Sequence, residues 1–143
     1  MAKQRSIKMT IASTDAEGVK AKERIIEAMD ECGWGHRSTF AVRLSLEEAL
    51  HNAIKHGNKH DPEKKVHIEA TITPRRIEIN IEDQGNGFER HHVPDPRKEE
   101  NLEKCSGRGV FLIESYMDKV EWTHGGRRVR MIRKNQESGP NSD

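Results

Sequence analysis

Apolar residues along this chain recur at two different spacings, and the switch between those spacings lays out the elements. Ile7, Met9 and Ile11 alternate with polar residues, which is the period of a strand with one buried face. Thr14, with Glu17 three residues later, forms a capping box and opens a first helix. Val19, Ile25, Ile26 and Met29 supply its apolar stripe, and Gly33 and Gly35 mark its stop. A second helix is predicted from about Ser38 to His56, with Val42, Leu46, Leu50, Ala53 and Ile54 in one broad sector and Leu44 outside it. Gly57 then suits a left-handed cap.

The period next returns to two. Val66, Ile68, Ala70 and Ile72 alternate, Pro74 marks a turn, and Ile77, Ile79 and Ile81 alternate again, so two tightly joined antiparallel strands are predicted. From Gln84 to Ser106 no period is sustained; loops of this length in a small domain are usually functional. Ser106, Gly107, Arg108 and Gly109 open a last helix bearing Val110, Phe111 and Ile113, with Tyr116 and Met117 as its further apolar positions. Val120 and Trp122, then Val129 and Met131, give two final strands around Gly125 and Gly126. Strands with helices on one face predict an α+β two-layer sandwich.

Composition narrows this picture without naming a function. A chain of 143 residues fits one domain with a modest core, assigned to residues 1–134, with a polar tail at 135–143. Hydrophobic residues make up 32% and charged residues 34%, so the core must lie on one face of each element. The formal net charge is +1 with acids and bases interspersed, which gives no reason to expect direct nucleic-acid or membrane partners. Cys32 and Cys105 lie far apart with no CxxC pattern, so neither a disulfide framework nor a zinc ribbon is indicated. With no long apolar segment and no signal-peptide stretch, a cytoplasmic location is expected.

Three blocks carry the candidate chemistry. Glu48 and Asn52, spaced i and i+4, share one helical face, with Lys55 a further turn along and His56 beside it. A carboxylate, an amide oxygen and a cation on one ridge suit magnesium and phosphate, although a solvated helix face has the same pattern. Asp83 is the next inward position after Ile77, Ile79 and Ile81, so its carboxylate is expected to point into the interior, where a donor must satisfy it. The exocyclic amine of adenine is such a donor, and Gly85 and Gly87 would let the backbone approach a flat base; an ordinary Asp-Gly turn is the alternative. Ser106 to Gly109 place glycines at a helix start, where unpaired N–H groups form an anion site, unless they are simply a hinge. There is no GxxxxGK[ST], and the pair Gly85, Gly87 lacks the third glycine of a dinucleotide fingerprint.

The ordered blocks EALHNAIKHG, DQGNGF and SGRGVFLIESYMDKVEW resemble the N, G1 and G2 boxes of the GHKL ATPases, the superfamily of gyrase, histidine kinases and MutL. More closely, they resemble the anti-sigma-factor serine/threonine kinases, over about residues 6 to 133. The resemblance implies a Bergerat fold with a mixed, mostly antiparallel sheet and helices on one face. It also implies ATP (with ADP as product) and Mg²⁺ as ligands. Position by position, it makes Glu48 the general base, Asn52 the magnesium ligand, Asp83 the adenine reader, Gly85 and Gly87 the glycines beneath the base, and Gly107 and Gly109 the phosphate-facing glycines. Lys55, His56, Ser106 and Val110 neighbour these positions, and the segment from Phe88 to Ser106 becomes an ATP lid.

Two departures accompany the likeness. Cys105 stands where a lid arginine precedes the Ser-Gly, so Lys104 or Arg108 must bring positive charge to the phosphates. The small hydroxyl residue common in the last box is not evident in Gly125-Gly126-Arg127-Arg128. The implied activity is phosphoryl transfer from ATP to a serine of an anti-anti-sigma protein of the STAS type, with a sigma factor as the other partner and a homodimer as the implied assembly. A nucleotide-dependent binding module without kinase activity and a detached histidine kinase ATPase domain are the alternatives.

Overall fold

The computed structural model describes residues 4–85 and 105–135, and only the backbone of 105–110. Alternation of buried and exposed side chains builds its sheet. In β1 (Arg5–Ala12), Ile7 and Ile11 are buried and Met9 is half-buried. In β2 (Lys65–Ile72), Val66, Ile68, Ala70 and Ile72 all point inward, and in β3 (Arg76–Glu82) Ile77, Ile79 and Ile81 do the same. β4 (Lys119–Thr123) and β5 (Arg128–Lys134) complete a five-stranded sheet in the order β1-β2-β3-β5-β4. Every pairing among the described residues is antiparallel, so the parallel component of the expected mixed sheet is not found there.

Among the described residues, three helices cover one face of the sheet: α1 (Asp15–Glu31), α2 (His36–His51) and α3 (Cys105–Tyr116). The opposite face is polar, and Arg130 bridges Glu78 and Glu121 across it at 2.8 Å each. The core therefore lies between sheet and helices, where Ile25, Met29, Val42, Leu46, Ile68, Ile79 and Met131 are almost wholly enclosed. This is the α+β two-layer sandwich expected from the periods.

The predicted start of α1 is found, with Thr14 Oγ1 accepting from Glu17 N at 3.2 Å. Val19 departs from its predicted stripe and is 53% exposed. The inward position is taken by Gly18, where a Cβ would come within 3.0 Å of Ile54 Cδ1, so α1 meets the segment after His51 through a residue without a side chain. The predicted second helix divides: α2 ends at His51, and Asn52–Gly57 form a single π turn. Gly57 is not the left-handed cap; Lys59 and His60 take that conformation, with φ of 53° and 55°. Around Gly125 and Gly126 (φ 66° and 91°) the expected turn joins β4 to β5. Asn135, assigned to the tail from sequence, is buried, and its side chain donates to Pro74 O at 2.9 Å; residues 136–143 lie outside the described residues.

Candidate functional site

The ridge predicted on α2 has two different halves. Glu48 is half-buried, whereas Asn52, one turn on, is only 7% exposed at the start of the π turn. Among the described residues neither Nδ2 nor Oδ1 of Asn52 has a hydrogen-bond partner. A buried amide left unpaired costs about 1–3 kcal/mol, and π turns are over-represented at functional sites. The solvated-face alternative therefore fails for Asn52. Its amide oxygen is of the hard oxygen type that Mg²⁺ takes, so the residue present fits the metal implied by the sequence. Lys55 and His56 stand on the exposed side, where the rings of His51 and His56 meet edge to face at 5.5 Å. Partial burial, followed by the charges of His51 and Lys55, holds His56 below the usual histidine range.

Asp83 is buried, as the strand period predicts for the position after Ile81. Its backbone N–H donates to Arg127 O at 2.9 Å, and its Oδ1 accepts from Gly85 N at 2.8 Å. Burial pushes the carboxyl up from the ordinary aspartate range, with the Gly85 N–H opposing the rise.

Two glycines give this carboxylate room. A Cβ on Gly57 would lie 2.3 Å from Asp83 Oδ2, and one on Gly85 would lie 1.9 Å from Gly57 O. Gly57 is thus required for clearance rather than for backbone handedness, a role that its place at a helix end concealed. The residue after it, Asn58, was not singled out from the sequence, yet it is only 1% exposed. Its Nδ2 donates to Ser13 Oγ and Lys65 O, both at 2.9 Å, and its Oδ1 accepts from Gln84 N at 2.7 Å. An Asn just past a helix end is a frequent local bonding residue, and that was the available signal.

Ser106, Gly107, Arg108, Gly109 and Val110 belong to α3 itself, so the glycines lie inside the first turns instead of ahead of the helix. Packing of α3 on α2 and on the π turn overrides the weak helix propensity of glycine. The π turn is therefore the meeting point: it carries Asn52, Lys55, His56 and Gly57, touches Asp83 and Gly85 through Gly57, and receives α3. Gly87, Lys104 and nearly all of the expected lid lie outside the described residues. A separate cavity of about 260 Å³ between α1 and α2 is lined by Gly18, Val19, Lys22, Glu47, Leu50 and Ile54 among others, and holds none of the predicted site residues.

Comparison with known proteins places these features in a family context. Residues 12–133 match the family model described as the histidine kinase-like ATPase domain. The chain is 36% identical over 83 residues to an anti-sigma F factor of Oceanobacillus iheyensis, covering 56% of each chain. It is 25% identical over 99 residues to a serine-protein kinase RsbW of Listeria monocytogenes, covering 62% of this chain and 60% of that one. The aligned part thus spans little more than half the length of these relatives. Among solved structures, a crystal structure of the RsbU and RsbW domains of a Mycobacterium tuberculosis protein superposes with a TM-score of 0.61 at 14% identity, over 92% of this chain and 31% of that chain.

Proposed function

Because this chain belongs to the histidine kinase-like ATPase domain family, we propose that it is an ATP-dependent serine/threonine kinase that regulates a sigma factor by phosphorylating an anti-anti-sigma protein of the STAS type. The observation that carries this reading is the buried, unpartnered amide of Asn52 on the same π turn whose Gly57 abuts the Asp83 carboxylate. The similarity to proteins named anti-sigma F factor and serine-protein kinase RsbW supports the choice of substrate and partners. Among the described residues no helix is long and apolar enough to cross a membrane. We take the working form to be a cytoplasmic homodimer.

In this reading Asp83 accepts from the adenine amine, and Gly57 and Gly85 keep the wall beneath the base free of side chains. Asn52 Oδ1 would hold Mg²⁺, and the metal would neutralise charge on the phosphates. Lys55, Arg108 and the early N–H groups of α3 supply further positive potential. Glu48 accepts the proton of the substrate serine hydroxyl. The serine Oγ bonds to the γ-phosphorus, the bond from that phosphorus to the bridging oxygen breaks, and ADP leaves with the electron pair. Most of the rate in such a transfer comes from positioning and electrostatics, so this short set of groups suffices.

Incubation with Mg-ATP and a panel of STAS-domain proteins tests the proposal. Phosphoserine should appear on one of them by mass spectrometry. Glu48→Ala should slow its formation by about 10²- to 10⁴-fold while leaving ATP affinity nearly unchanged. Nucleotide-dependent binding without any transfer would instead identify a binding module.

A further inference from the structure

The Asp83 carboxylate can read a base edge only if the chain leaving β3 is held in one place, and that chain is secured from several sides. Arg127 O accepts from Asp83 N at 2.9 Å on the β5 side. On the β2 side, Gln84 Oε1 accepts from Lys65 N at 2.7 Å. The third tether is Asn58, whose Oδ1 accepts from Gln84 N at 2.7 Å while its Nδ2 is bound to Ser13 Oγ and Lys65 O, both at 2.9 Å. Ser13 in turn donates to Lys64 O at 2.5 Å. One side chain therefore ties the end of β1, the start of β2 and the exit of β3 to the end of the π turn.

Both Nδ2 hydrogens and the Oδ1 of Asn58 are engaged, and the group is almost wholly removed from water. Its backbone is fixed as well, with its N–H donating to Ala53 O at 2.8 Å and its carbonyl accepting from Asp61 N at 3.0 Å. A buried, multiply bonded network of this kind fixes geometry more strongly than its separate bonds suggest. The neighbouring clearances leave little latitude, because Gly85 lies so close to Gly57 that even a methyl group would collide.

We propose that Asn58 is the positioning residue that sets selectivity for the 6-amino group of adenine, acting through Gln84 and Asp83 without touching the base. The inference rests on the ATP-binding reading above. Loss of the amide frees Gln84 N, and the Asp83 carboxylate drifts from the edge of the base. The stacking and phosphate contacts survive, so affinity for ATP falls toward that for a purine nucleotide lacking the amine.

The test compares binding of ATP with that of purine riboside triphosphate, which lacks only the 6-amino group, by calorimetry on the whole protein and on Asn58→Ala. The wild type should prefer ATP by about ten-fold or more, the value of one hydrogen bond to a carboxylate. Asn58→Ala should reduce this preference to within about two-fold while changing affinity for the analogue little. A general structural role would lower the melting temperature and weaken both nucleotides alike, and an unchanged ratio in folded Asn58→Ala overturns the proposal. If Asn58→Ala does not fold, Ser13→Ala, which removes one tether of the Asn58 amide, decides it by the same ratio. A wild type that binds both nucleotides equally contradicts the adenine-reading role of Asp83 itself, and this inference falls with it.

Discussion

The two ends of the candidate site are built on opposite principles. Around Asp83 the backbone is held by protein partners: Arg127 O, Gly85 N, Asn58 and Lys65 fix the Asp83–Gln84 segment, and two glycines leave the carboxylate space. Around Asn52, at the start of the π turn whose last residue abuts Asp83, the amide is buried with no partner among the described residues. One end has its backbone fixed before a ligand arrives, whereas the other carries an energetic debt that a ligand would settle. Selectivity for the base is thus preformed, and the phosphate end is the part whose energy changes most on binding.

Asn52→Ala should break the comparison most sharply. It removes the unpaired amide, so the ligand-free protein should melt no lower than the wild type and up to a few degrees higher. The magnesium-dependent part of ATP affinity should fall by about 100-fold, measured by titrations with and without the metal. Equal losses in both titrations would contradict a metal-facing role.

Asp83→Asn comes next. The raised pKa means that the folded state prefers the protonated acid. Stability from this group is therefore fully present below the ordinary aspartate value, declines as pH rises through the raised value, and stays reduced at neutral pH. The asparagine variant should be at least as stable as the wild type at pH 7 and should lose that part of the pH dependence in thermal melts. Its affinity for ATP should drop by about 10- to 100-fold, with or without magnesium.

Gly57→Ala tests clearance. The added methyl group must displace the Asp83 carboxylate, so ATP affinity should fall several-fold while binding of a triphosphate without a base stays unchanged. The smallest effect on nucleotide is expected for Thr14→Ala, which removes the cap of α1. It should cost about 1 kcal/mol of stability and leave ATP affinity alone. A binding loss there would show that affinity simply follows global stability.

Much of the fold could be read from the chain because its period-2 runs are nearly uninterrupted. Val66 to Ile72 and Ile77 to Ile81 alternate without a break, and the inward direction of Asp83 followed from them directly. Val19 was misassigned because a helix stripe is broad, and tertiary contact between Gly18 and Ile54 chose its centre. The end of α2 was misread for a related reason: periodicity does not distinguish an α turn from a π turn, so the helix appeared to run on to Gly57. Asn58 remained hidden because two of its partners, Ser13 and Gln84, are distant in sequence, and three of the hydrogen bonds in its network involve backbone groups. Such a hub is defined by topology rather than by any local pattern.

The most direct test of convergence on one nucleotide is a crystal structure with Mg²⁺ and a non-hydrolysable ATP analogue. It should show Asp83 accepting from the adenine amine and Asn52 Oδ1 on the metal, with α3 starting at the phosphates. A nucleotide seated instead in the cavity between α1 and α2, or with Asn52 still unpartnered, would contradict the account.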